Sequence, residues 1–314
     1  MAAQHNKPDL SIVMTIVDGG ETLAACLRAI AAMTGDHQIE VLVAHDQASP
    51  EAAGLASEFP DMTFIDQGEI LGGGLPTDAL RMHKFYDTRR TAALKRARGR
   101  VVGILEDRGM PVPHWASQML ALHDENPHGV IGGAIMNGVD QPWNWAIFFC
   151  DFSRYQPPIS AENPEYVSDT NITYKRETIM AYRHLWEERY VEAELHWAMA
   201  RGGEQLMISD RALTHQRRPA MPVGRMLGER FHWARMYGRV RGADVWLGRR
   251  ILLSLAMPVL PLLLLFRHGR RQWQKGHHFG TYPRMAPQKL LLLAVWNAGE
   301  FTGYLEAGRP GKQI

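Results

Sequence analysis

Residues 101–113 read VVGILEDRGMPVP. An apolar run climbs to Leu105, two adjacent carboxylates follow (Glu106 and Asp107), and a cation, Arg108, stands directly behind them. Paired acids at the end of a buried strand hold a metal or a substrate. A hard divalent cation wants carboxylate oxygens, and a guanidinium cannot ligate it. Arginine can still do part of a cation's work, because its planar fork binds phosphate oxygens in pairs and is never neutral. Leaving-group stabilisation needs positive charge, whatever its source. Two readings stay open: Glu106 or Asp107 holds a metal with Arg108 turned elsewhere, or Arg108 takes the metal's place. A degenerate site is a third. Two further strand ends carry acids, Asp18 and Asp46. One such Asp is commonly a turn former or helix cap. Three at the carboxyl edge of one parallel sheet suggest a site that reads a nucleotide and its phosphates.

These acids require strands to carry them. Leu10–Val17 and Ile39–Ala44 are continuous apolar runs, the pattern of strands buried on both faces. Met62–Ile65 and Val101–Leu105 continue the series, and Val130–Met136 reads as a further strand. Helices are expected at Glu21–Met33, Pro50–Phe59, Thr88–Ala97, Pro113–Glu125 and Arg183–Arg201, and a short strand at Leu206–Ile208. This alternation predicts an α/β fold with a mostly parallel, doubly wound sheet. No GxGxxG follows the first strand, which disfavours a dinucleotide fold. The glycines at 72–74 are followed by Leu75-Pro76-Thr77 and not by Lys-Ser/Thr, so residues 66–87 read as a linker. The segment 137–185 is aromatic-rich and reads as irregular. Trp143 and Trp145 within it suit either a sugar face or core packing.

The chain has 314 residues and a net charge of +2, which gives no global argument for nucleic acid. Cys26 and Cys150 lie far apart, so a reducing compartment is expected. The N-terminal residues lack an apolar signal core. The sequon Asn171-Ile-Thr173 reads as chance. From about residue 246 the character changes. Ile251–Phe266 is strongly apolar but contains Pro258 and Pro261, and it falls short of the ~20 residues a spanning helix needs. Arg249, Arg250, Arg267, Arg270 and Arg271 flank it, and Leu290–Trp296 adds a second short apolar piece. Together they read as a monotopic or re-entrant membrane-binding element, or else as a hairpin packed on the main domain.

With these residues in view, the chain resembles family 2 glycosyltransferases of the GT-A fold. The resemblance rests on LSIVMTIVDGGETLAACLRAI, EVLVAHDQAS, RTAALKRARGRVVGILEDRGMPVPHW, SDTNITYKRETI, VEAELHWAMARGG and ALTHQRR, with AGEFTGYLEAG in the tail similar to membrane-associated members. It implies a GT-A domain over residues 1–240 and a membrane-associating region over 241–314. By that resemblance Thr15, Asp18 and Glu21 border the nucleotide base, and Asp46 accepts from a pyrimidine N–H. Arg90 steadies the nucleotide or its phosphates. Glu106 and Asp107 match the first two positions of an Asp-x-Asp motif whose third, metal-binding position is Arg108 here. Mg²⁺ or Mn²⁺ is implied, with Glu106, Asp107 and His215 as ligands, or partly replaced by Arg108. Asn171, with Asp169 and Thr170, lines the donor sugar and acceptor. Glu192 falls where the family has its catalytic base, with Val191 where the family has another acid.

An inverting transfer needs one carboxylate to deprotonate the acceptor hydroxyl. Glu192 and Glu194 cannot both face it on one helix, because i and i+2 diverge, and Glu192 is the expected base. The expected activity is transfer of a sugar from a nucleoside diphosphate donor, UDP-linked, to a lipid or lipid-linked acceptor at the cytoplasmic face of the inner membrane. Two rivals remain: a polyprenyl-phosphate acceptor, which needs no base, and a non-catalytic sugar-nucleotide sensor on the membrane.

Overall fold

The computed structural model describes residues 7–33, 35–70, 79–159, 164, 166–276, 278 and 280–307. The glycines at 72–74 lie outside the described residues. By internal packing the chain forms two units. The first comprises residues 1–76, 83–138 and 154–218, and the second 77–82, 139–153 and 219–314.

In the first unit the apolar runs form the strands their pattern requires. In chain order the elements are β1 (Leu10–Thr15), α1 (Gly20–Ala31), β2 (Ile39–His45), α2 (Pro50–Leu55), β3 (Thr63–Asp66), α3 (Ala79–Leu94), β4 (Val101–Glu106), β5 (Gly109–Pro111), α4 (Trp115–Glu125) and β6 (Val130–Asn137). After α5 (Pro142–Asp151), which belongs to the second unit, come β7 (Asn171–Lys175), α6 (Arg176–Ala181), α7 (Arg183–Trp186), α8 (Glu192–Arg201) and β8 (Leu206–Gln216). The strands make one sheet in the order β3-β2-β1-β4-β7-β6-β8-β5. The block β3-β2-β1-β4 is parallel throughout, while β7 runs antiparallel to both β4 and β6. One apolar layer packs Leu23, Leu27 and Ile30 of α1 with Trp115 and Met119 of α4 against Ile12, Met14 and Leu105. The other packs Val13, Val102 and Ile104 with Trp186, Tyr190 and Leu195. The α/β class with a mixed, mostly parallel sheet flanked by helices is therefore what the chain forms.

Several local expectations need correction. The segment 137–185 is not irregular throughout: it holds α5, β7 and α6. NITYK is a strand because it fills the slot between β4 and β6, where its first four residues are buried. The helix expected over Arg183–Arg201 is interrupted between Trp186 and Glu192. The break buries Tyr190, and the Trp186 indole N–H donates to the Ile179 carbonyl at 2.8 Å. Residues 206–216 form one strand, with a register irregularity opposite Gly133 and Ala134 of β6.

The second unit is helical: α5, α9 (Val223–Asp244), α10 (Leu247–Ala256), α11 (Leu260–Lys275), α12 (Thr281–Arg284) and α13 (Ala286–Glu306). The boundary expected between residues 240 and 241 falls inside α9. The packing break lies instead between Arg218 and Pro219. Trp145 packs on Phe149 with ring centroids 5.5 Å apart, and Trp143 packs against the cluster of Ala146, Ile147, Met226 and Leu292. Lys289 is fully buried. Its Nζ donates to the Phe149 carbonyl (3.1 Å) and the Tyr282 hydroxyl (2.9 Å) and lies 3.0 Å from His268 Nδ1. Burial lowers the Lys289 pKa to about 7.

Gly133 is a position where the sheet leaves no room for a side chain. A Cβ there would stand 2.1 Å from the Ala212 carbonyl and 2.3 Å from Asn171 Nδ2. Gly133→Ala is expected to destabilise the fold by roughly 1–3 kcal/mol, the usual cost of overpacking a closed core. Denaturant unfolding followed by far-UV circular dichroism measures it.

Candidate active site

The topology collects polar residues at one edge of the sheet. Because β1, β2 and β4 are parallel, their carboxyl ends (Thr15, His45 and Glu106) share that edge. Because β7 is antiparallel, its beginning lies there too: Asn171 is in register with Leu105, and Asp169 stands just before it. The chain passes from β4 to β5 through Asp107 and Arg108 alone. It then meets the end of β8, where Met110 pairs with His215 and the Arg217 N–H donates to the Arg108 carbonyl at 2.7 Å.

Of the four acids expected at the three strand ends, Asp107, Asp18 and Asp46 are engaged by the chain at this edge. Asp107 is fully buried. Its Oδ2 accepts the backbone N–H groups of Val17 (3.1 Å), Asp18 (3.0 Å) and Gly19 (2.8 Å). Successive amides of this kind make an anion cradle. Gly19 and Gly20 both have positive φ, which lets the turn form it. Asp107 Oδ1 is buried without a partner, and burial raises the carboxyl to about 6. Asp18 grips Arg108 with both oxygens, at 2.6 Å to Nε and 2.5 Å to Nη2. Asp46 is held by Arg89 in the same fashion, at 2.5 and 3.1 Å, and Arg89 Nη1 also donates to the Ile16 carbonyl at 3.1 Å.

Arg90 organises a second constellation. Its Nε donates to Thr15 Oγ1 (2.9 Å), and its Nη2 lies 2.6 Å from Asp169 and 3.9 Å from Glu106. Asp87, one turn earlier on α3, lies 3.6 Å from Nη1, and the Tyr190 ring sits beneath the guanidinium at 5.3 Å. Glu192 joins at the first turn of α8, where its Oε2 accepts the Asp169 backbone N–H at 3.0 Å. The carboxylates outnumber the cations here. Burial first, and the Asp169 charge second, raise Glu106 to about 7 and hold Glu192 well above its ordinary value. Burial likewise raises Asp87 to about 7. Glu194, by contrast, is exposed and lies 3.9 Å from Arg189.

A buried polar chain fixes α8 beneath this group. The Val167 N–H donates to His196 Nδ1 at 3.2 Å, so the ring proton sits on Nε2 and is donated to the Tyr174 hydroxyl at 2.7 Å. Tyr174 in turn meets the Tyr190 hydroxyl at 2.7 Å. Burial lowers His196 to about 3, so the ring stays neutral. His196 is one helical turn from Glu192, so anchoring the ring also orients the carboxylate.

Other expected site residues stand elsewhere. Glu21 is exposed and paired with Arg28 at 2.8 Å. Asn171 is fully buried and internally satisfied. Its Nδ2 donates to the Ala134 and Ala212 carbonyls, and its Oδ1 accepts the Trp115 indole N–H. It therefore joins β7 to its neighbours: both Nδ2 hydrogens and the bond to Oδ1 are spent inside the core, away from any bound sugar. Its burial also removes it from the surface where a sequon could be modified. His215 is half-buried at the end of β8, and burial lowers its pKa. Among the described residues, no group of three or more His, Cys, Asp or Glu has an arrangement that could hold a metal ion. One oxygen of Asp107 is consumed by amides, and Arg108 and Arg90 flank the remaining acids. The donor set therefore does not fit a resident divalent cation. Both cysteines are free thiols.

Sequence reasoning passed over Arg89 and Asp87 and gave Asp169 only a supporting place. The signal for Arg89 was weak, since consecutive arginines on a helix read alike and both turn out to be buried.

No family model and no curated protein sequence matches the chain. Among solved structures it is similar to S. aureus TarS 1-349 in complex with UDP-GlcNAc, at 11% identity and a TM-score of 0.48, over 90% of this chain and 71% of that one. It is also similar to the mannosyltransferase PcManGT from Pyrobaculum calidifontis in complex with GDP-Man and Mn²⁺, at 13% identity and a TM-score of 0.45, over 99% and 77%. Likenesses this distant assign no ligand and no activity to this chain.

Two measurements probe the geometry. Arg89→Met strands a buried Asp46 carboxylate and is expected to cost about 3–5 kcal/mol of unfolding free energy. Glu106 is raised from 4.5 to about 7 in the folded chain, so its contribution to stability is full below about pH 4.5 and is lost as pH rises through about 7. Glu106→Gln is therefore expected to gain stability relative to the parent at pH 7.5 compared with pH 5, as read by thermal unfolding at both values.

Proposed function

We propose that this chain is a GT-A glycosyltransferase of the family 2 type. It moves a hexosyl group, with inversion, from a UDP-linked donor to a hydroxyl of a lipid or lipid-linked acceptor. The observation that carries the reading is the meeting of Glu192, Asp169, Glu106 and Arg90 at the carboxyl edge of β1, β2 and β4, where open parallel sheets bind ligands.

In this reading Glu192 is the base. Its ionised carboxylate takes the proton of the acceptor hydroxyl as that oxygen attacks the anomeric carbon and the nucleoside diphosphate leaves from the opposite face. A raised pKa suits the task, because a base whose pKa lies nearer the working pH transfers protons with more driving force. Asp169 is a positioning residue: its N–H fixes one Glu192 oxygen, and its carboxylate is fixed by Arg90. Arg108, turned by Asp18, is the positive charge that would meet the donor's diphosphate, and Thr15 and Arg90 frame the nucleotide side. Any divalent ion would arrive with the donor's phosphates.

The second unit supports the acceptor class, for α10 and α11 expose Leu252, Leu255, Leu262 and Phe266. A membrane surface, at the cytoplasmic face of the inner membrane, is the partner we assign to it.

Glu192→Gln is expected to lower transfer by about 10²-fold or more, with donor binding retained in calorimetry with UDP. Full activity in this variant would favour the already ionised polyprenyl-phosphate acceptor instead. Asp169→Asn removes a negative neighbour and lowers the Glu192 pKa, so the acid limb of the pH–rate profile is expected to move to lower pH. After exhaustive chelation the purified protein is expected to keep most of its transfer rate with a membrane lipid extract as acceptor. A loss restored by Mg²⁺ or Mn²⁺ would refute the metal-independent reading.

A further inference from the structure

α11 is amphipathic in the reverse sense. The residues it buries within the second unit include His268 and Gln272, while Leu262, Leu263 and Phe266 face outward, each more than half exposed. α10 does the same with Ile251, Leu252 and Leu255, and Val259 continues the exposed apolar surface between the two helices. An apolar surface of this extent on a folded unit marks a place where water is to be replaced. The ends of the surface are marked as well. Trp246 before α10 is 74% exposed and Trp273 near the end of α11 is 73% exposed. Exposed arginines stand just inside each, Arg249 at one end and Arg267 and Arg270 at the other. Tryptophan and arginine are the side chains that settle at the boundary between acyl chains and headgroups.

Length decides the topology. The stretch from Arg250 to Arg267 would be about 25 Å long as one straight helix, short of the ~30 Å hydrocarbon core. It is not straight, because the two helices meet at 79°. Among the described residues, no single helix is long and apolar enough to cross a membrane. A bent pair whose two ends carry the same interfacial side chains suits insertion from one side.

We propose that α10 and α11 enter and leave the same leaflet of an anionic phospholipid bilayer, with Trp246 and Trp273 at one shared depth and the flanking arginines on phosphate headgroups. This rests on the reading of a membrane surface as partner and adds its topology and its lipid charge. Exposed arginines add electrostatic attraction to an anionic surface, on top of the apolar insertion that a neutral one also allows.

The full chain is mixed with preformed vesicles of phosphatidylcholine alone, or of phosphatidylcholine with phosphatidylglycerol, and sedimented. Binding is expected to be about tenfold or more tighter to the anionic vesicles and to weaken with salt. Leu255→Glu with Phe266→Glu is expected to abolish it while leaving the circular dichroism unchanged. Equal binding to both vesicle types overturns the lipid charge while membrane association stands, and no binding to either overturns both. Binding kept by the double glutamate variant overturns the assigned surface. Trp246→Cys and Trp273→Cys, made singly, are then treated with a membrane-impermeant maleimide added outside, with the parent chain as baseline. Labelling of both without detergent is the expected result. One position protected until detergent is added would mean a span and would overturn the topology.

Discussion

The carboxylate of Asp107 on the amides of Val17, Asp18 and Gly19 is the contact on which the arrangement of this edge depends. It ties the turn after β1 to the end of β4 through three hydrogen bonds to one oxygen. The adjacent residue repeats the tie from the other side, for Arg108 reaches back to Asp18 in the same turn. Parallel strands end with unpaired polar groups pointing one way, and something must satisfy them. Here two consecutive residues of opposite charge do so. That answers why a cation stands behind the paired acids: Arg108 is gripped and oriented by Asp18 in the turn after the neighbouring strand.

This internal pairing changes which residues remain for chemistry. Asp46, Asp18 and one oxygen of Asp107 are consumed in holding the tips together. What stays unbalanced is the group around Arg90, where Asp87, Glu106, Asp169 and Glu192 converge on few cations. Asp18, Asp46 and Asp107 build the floor, and Glu106 at the end of β4, with the acids contributed by α3, α8 and the loop before β7, supplies the working charge. His196, Tyr174 and Tyr190 underpin it from within the core.

Most of the sheet was legible in the sequence because its strands are continuous apolar runs, and such runs have few alternatives. β7 was not legible. NITYK is short and mixed, and it becomes a strand only because two neighbours leave a slot of its width. The interruption before α8 escaped for a related reason, since WEERYVEAE has helical composition and only the burial of Tyr190 breaks it. At the site, residue type was informative and partnership was not. Asp18, Asp46, Asp107 and Arg90 were all identified, yet nothing in their spacing says which guanidinium each carboxylate takes. Asn171 shows the same limit: its place at the strand end suggested a ligand contact, and three core hydrogen bonds hold it instead.

The unbalanced acids around Arg90 have a calorimetric consequence. Asp87 and Glu106, raised to about 7, leave this group carrying a fractional, shared load of hydrogen ions at neutral pH. Any guest that alters the local potential must exchange some of that load with the surrounding solution. The heat of such an encounter then depends on the ionisation enthalpy of the buffer, and the slope of that dependence counts the ions exchanged.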